Sequence, residues 1–138
     1  MFGIIREKII GVVNNAQKIE EAYRTARSSF SGFPAAVVTP SSNEAAYNTT
    51  ASESNKETYI FTVRLYYPFT DGQDTADIAL EQAIDELIDT FRQRDVLAIG
   101  NAWVEPVPSI WGYQTTSQGD MRIAELSIRV KVYVENGE

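Results

Sequence analysis

Hydrophobic positions recur in two rhythms along this chain, one helical and one alternating. In the opening stretch Ile5, Ile9, Val12, Ala16, Ile19 and Tyr23 follow spacings of four and three, with Glu7, Lys8, Asn14, Asn15, Lys18 and Glu21 between them. One stripe of this kind predicts a helix from Phe2 to Arg27. Ser28, Ser29, Ser31, Gly32 and Pro34 end it, and Ala35-Ala36-Val37-Val38-Thr39 reads as a first strand stopped by Pro40. Residues 40–56 are polar and are expected to form a first long loop with one aromatic, Tyr47. The rhythm then changes. Tyr59, Phe61, Val63, Leu65 and Tyr67 alternate with Thr58, Ile60, Thr62, Arg64 and Tyr66, which predicts a second strand ending at Pro68.

Asp71-Gly72 marks a turn and Asp74 is the expected N-cap of a second helix, whose apolar face is Ile78, Leu80, Ala83, Ile84, Leu87, Ile88 and Phe91. After Gly100-Asn101 a short strand over Ala102-Trp103-Val104-Glu105 runs into Pro106 and Pro108, a spacing that suits an edge strand or its exit. Residues 108–120 read as a second long loop. The last strand has the cleanest alternation: Ala124, Leu126, Ile128, Val130, Val132 and Val134 against Glu125, Ser127, Arg129, Lys131 and Tyr133. The order α-β-β-α-β-β predicts an α+β fold, a four-stranded, mostly antiparallel sheet with two helices packed on one face, in a single domain over residues 1–138. With hairpins at each strand pair and a right-handed crossover between them, the two long loops fall at opposite ends of the sheet.

Composition narrows the chemistry. With 43% hydrophobic and 22% charged residues the chain is ordinary globular protein. It has no Cys and no His, which removes disulfides, thiolate metal sites, cysteine nucleophiles and every histidine-based triad or zinc site. No phosphate loop or nucleophile elbow is present, and the expectation is a protein that is not an enzyme, with no catalytic residues, metal or cofactor. The net charge of −7 lies wholly in residues 71–89, which hold seven acids and no base. Such a balance argues against nonspecific grip on nucleic acid. No stretch approaches the roughly 18–20 apolar residues of a membrane span, and charges at Arg6, Glu7 and Lys8 stand where a signal peptide needs its apolar run. The expectation is a soluble chain, cytoplasmic when made.

Two constellations stand out. Asp77, Glu81, Asp85 and Asp89 are spaced by four, a carboxylate ladder that reads either as a solvated helix back or as an acidic surface facing a basic partner or a DNA passage. Carboxylates along an exposed helix lack the concave shell a catalytic metal needs. Ile110, Trp111 and Tyr113 are large apolar groups in an expected loop, either interface anchors or a loop folded back over the core. Tyr66 and Phe69 at the end of the second strand carry the same two readings, and Tyr47 joins them as an interface candidate. Arg64, Arg129 and Lys131 on outer strand faces read as a basic sheet patch or as plain solvated positions.

The pattern resembles the tail terminator (tail completion) proteins of long-tailed bacteriophages, the lambda-like family of small α+β subunits that form hexameric rings. The resemblance spans most of the chain. It is carried by the amphipathic opening helix, the tract Tyr59-Ile60-Phe61-Thr62-Val63-Arg64-Leu65-Tyr66-Tyr67 before the acidic helix, Trp103-Val104 with its prolines, and the closing Met121-Arg122-Ile123-Ala124-Glu125-Leu126-Ser127-Ile128-Arg129-Val130 strand. It implies a virion protein at the head-proximal end of the tail: a homohexameric ring that caps the tail tube, ends its polymerisation and docks the head connector, with DNA passing through unbound. Two other readings stay open, a head-completion or neck adaptor and a dimeric α+β module that binds a small ligand.

Overall fold

A computed structural model describes residues 2–25, 29–46, 54–68, 72–93, 95–99 and 102–135. In chain order the elements are helix α1 (Phe2–Asn14), strands β1 (Glu21–Tyr23), β2 (Ala35–Ala46) and β3 (Ser54–Pro68), helix α2 (Gln73–Phe91), and strands β4 (Ala102–Thr116) and β5 (Gly119–Glu135). The strands form one sheet in the order β1-β2-β3-β5-β4. Four pairings connect it; β1–β2 is parallel and the other three are antiparallel. The expected four-stranded sheet is therefore corrected to a five-stranded mixed one.

The fifth strand comes from the tail of the expected first helix, which stops at Asn14 rather than Arg27. Asn side chains compete for backbone groups and disfavour helix interiors, and the Asn14 carboxamide oxygen accepts the Ala22 N–H at 3.2 Å. Ile19 and Tyr23 keep helical spacing yet bury from a turn and from β1. The turn is held from α2: both Glu86 carboxylate oxygens accept backbone N–H groups, from Gln17 and Lys18, at 2.8 Å each. A charge-assisted clamp of this kind contributes more than a neutral bond. Glu86→Ala is expected to cost about 1–2 kcal/mol in urea unfolding, and a loss below a few tenths would mean that water replaces the carboxylate without penalty.

Both expected long loops are largely strand. Residues 40–46 continue β2 past Pro40, pairing with β3 across a bulge between Pro40 and Ser42. Residues 108–116 continue β4, and a two-residue turn at Ser117-Gln118 links Thr116 to Gly119, whose φ of 103° is open to glycine at little cost. Because Pro68 pairs with Met121 and Ser54 with Glu135, the two hairpin ends point in opposite directions along the sheet. Asp74, the expected N-cap, is the second residue of α2; Gly72 holds the cap position.

Both helices cover one face, called inner here. Ile5 and Ile9 from α1 and Leu80, Leu87 and Phe91 from α2 pack on Phe61, Val63, Leu65, Leu126 and Ile128. Phe2 adds edge-on ring contacts to Tyr59 and Phe61. The outer face carries a second, smaller cluster at one end only, where Phe30 and Phe33 fold over Val37, Tyr66, Met121 and Ile123. Gln118 fixes that flap by accepting the Phe30 N–H at 2.6 Å and donating to the Phe30 carbonyl at 2.9 Å. The remainder of the outer face has no covering layer among the described residues.

Candidate interface on the hairpin of strands four and five

Strand β4 is an edge of the sheet, and its two halves present their side chains differently. Up to Pro108 its even-numbered residues share the inner face, as Val104 opposite Val130 and Pro106 opposite Ile128. A bulge between Pro108 and Trp111 inserts one extra residue and inverts that parity. Trp111 then stands opposite Ala124, and Tyr113 opposite Arg122, on the inner side. Both stay exposed, Trp111 by 39% and Tyr113 by 58%.

Between these rings and α2 lies Arg122. Its Nε donates to the Asp77 carboxylate at 2.7 Å and one terminal nitrogen donates to the Gly112 carbonyl at 3.1 Å. The guanidinium carbon sits 5.1 Å from the Trp111 ring centre and 4.5 Å from that of Tyr113. A planar cation stacked on two aromatic faces and anchored by a carboxylate fixes both rings before any partner arrives. Arg122 is itself only 14% exposed, so the ion pair is partly shielded from solvent screening. The arrangement suits a hot spot: rigid aromatics that lose little freedom on contact, mounted on a strand rather than a loop.

The expected site residues sort cleanly. Ile110, Trp111 and Tyr113 are exposed, but on β4 and not on a loop, and Asp77 joins them through Arg122. Glu81, Asp85 and Asp89 are exposed along α2 and are not gathered into a site. Tyr66 takes the core-packing reading within this chain: it is 2% exposed, its ring 4.7 Å from that of Phe30 in the outer cluster. Tyr47 and Phe69 lie outside the described residues. The basic strand positions are mostly paired. Arg64 meets Glu125 at 3.1 Å and Lys131 meets Glu105 at 3.0 Å. Burial pulls the Arg64 pKa down, but hydrogen bonds with Tyr66 and Glu125, and the Glu125 charge, outweigh it and hold the guanidinium above its ordinary value.

Sequence reasoning missed Arg122, although a signal was there. It shares the parity of Ala124, Leu126 and Ile128, so it is a charge in the phase of the apolar face, where a partner is required. Two further aromatics, outside the expected site residues, stand on the outer face: Trp103, 68% exposed, and Tyr133, 50% exposed. A groove of about 780 Å³ also opens between the segment after α2 and the first half of β4, lined by Phe91, Val96, Leu97, Ile99, Val104 and Pro106 with charged groups at Arg92, Asp95 and Glu105. Among the described residues there is no group of three or more acidic side chains placed to hold a metal, and no helix is long and apolar enough to cross a membrane.

No protein-family model matches the chain, and no curated protein matches it. Among solved structures it is similar to a chain of the virion of a native gene transfer agent particle, with 17% identity over 91% of this chain and 84% of that one, at a TM-score of 0.42. A likeness of that size assigns neither a family nor a role.

Proposed function

We propose that this chain is a structural subunit of a phage-type virion, and specifically a tail terminator: a ring, hexameric like the family its sequence resembles, that caps the tail tube and presents its other side to the head connector. The observation that carries the reading is the pre-set aromatic pair Trp111 and Tyr113 on a hairpin at one end of a sheet whose other hairpin points the opposite way. Two opposed ends let one subunit meet two different partners. An end that copies the tube's own contact, joined to one that does not, stops addition. Heterologous contacts that close make a ring where open ones make a filament.

The test is tail assembly in its absence. Tubes are expected to overrun their normal length and to fail at joining heads, and the Trp111→Ala, Tyr113→Ala double variant is expected to leave the same defect. Normal-length tubes that join heads without the protein would sink the reading. Binding to the portal complex in place of the tube would move it to a neck adaptor. A second reading, a dimeric small-ligand module, is favoured by the groove beside β4 alone. A strictly dimeric mass with saturable ligand binding there would establish it.

A further inference from the structure

The bare part of the outer face carries more than solvated strand positions. Trp103 stands directly opposite Lys131 across β4 and β5, Arg129 is one rung away opposite Glu105, and Tyr133 is one rung away on the other side. Antiparallel sheets commonly leave one face to water, but that face is then polar. Here Trp103, 68% exposed, and Tyr133, 50% exposed, stand beside two bases. Trp, Tyr and Arg are the residue types enriched where proteins meet.

On the opposite side of the molecule, α2 presents Ile78, 53% exposed, with Asp85 and Asp89 at spacings of seven and four along one stripe. The dimensions agree. Asp85 to Asp89 is about 6 Å along a helix, and Arg129 to Lys131 is about 6.7 Å along a strand. With Asp89 at Arg129 and Asp85 at Lys131, level with Trp103, Ile78 lies about 10 Å further along the helix, on the side of Tyr133.

We infer that the outer sheet face around Trp103, Arg129, Lys131 and Tyr133 receives α2 of a second copy of this chain. The contact rests on the ring reading above and supplies its missing surface. It joins the helix side of one subunit to the sheet side of the next, so both surfaces are used once per subunit, a heterologous contact of the kind that makes a ring when its rotation closes. Lys131 already donates to Glu105 and keeps two further N–H groups for the incoming carboxylate. The contact is electrostatic in part and weakens with salt.

The experiment uses two charge-reversed chains, Asp85→Lys with Asp89→Lys, and Arg129→Glu with Lys131→Glu, followed by native mass across concentration. Each alone is expected to raise the assembly midpoint by about tenfold or more. Mixed together, they are expected to assemble again, because each reversed surface meets its reversed complement in alternating order. All four changes in one chain restore assembly in the same way. Circular dichroism of each variant separates misfolding from lost contact, and in a Trp111→Phe background Trp103 emission is expected to shift to the blue on assembly. A wild-type ring whose mass ignores both reversals, or a mixture that stays dissociated while both chains are folded, overturns the contact and leaves the ring. A wild-type chain that is monomeric at every concentration overturns the self-contact, and the tube-capping assay then decides the terminator reading separately.

Discussion

Phe61→Ala is expected to lower the unfolding free energy by about 3–5 kcal/mol, which corresponds to a fall of about 10–20 °C in Tm for a chain of this size. Phe61 has no exposed surface and sits on β3, the middle strand, where it meets the Phe2 ring and pairs across to Ile128. Truncation removes its transfer energy and leaves a cavity that rigid strands on both sides cannot collapse into. Phe61→Leu keeps most of the volume and is expected to cost about 1–1.5 kcal/mol. Differential scanning calorimetry on the pair separates volume from aromaticity. A loss under 1 kcal/mol for the alanine variant would mean that the inner core repacks, and that the sheet is softer than its burial implies.

Arg122→Met is expected to cost about 1.5–3 kcal/mol, below the range for a fully buried pair because Asp77 keeps 26% of its surface. Methionine retains the stem but removes the charge, the Gly112 bond and the cation beneath both rings. The measurement is a double-mutant cycle with Asp77→Asn, where coupling of about 1 kcal/mol or more is expected. In a Trp103→Phe background, Trp111 anisotropy is expected to fall as its ring comes loose. Additive losses with unchanged anisotropy would show that the stack holds without its cation, and would remove the rigidity on which the proposed contact depends.

Much of the layout was legible because burial imposes periodicity. The strand through Ala124 to Val134 and the stretch from Tyr59 to Leu65 declared their faces by strict alternation, and α2 declared its own by helical spacing. The errors fall where a partner, not the local sequence, decides the state. Glu21–Tyr23 is too short to alternate, and its Tyr23 continues a helical stripe by coincidence. The polar run after Pro40 looks like loop and becomes strand because β3 offers it a ladder. The aromatics at 110–113 were legible as interface material, whereas their seat on Arg122 depends on a bulge that changes face parity at a point no pattern marks. Reading Arg122 as a charge in the phase of the apolar face would have recovered half of that site.

The sheet order has a consequence for the way the chain is made. β5 follows every other element in the chain, yet it lies between β3 and β4. A nascent chain that has displayed everything up to Thr116 therefore holds β1, β2 and β3 as one fragment and β4 apart, and no ladder joins them. The β3 edge, with Phe61, Val63 and Leu65 along it, stays open to any passing strand for that interval. Synthesis of the last seventeen strand residues closes the molecule in one step. Unlike a surface tail that tolerates trimming, β5 is a keystone, and an early stop codon within it leaves two half-sheets in place of a slightly shorter protein.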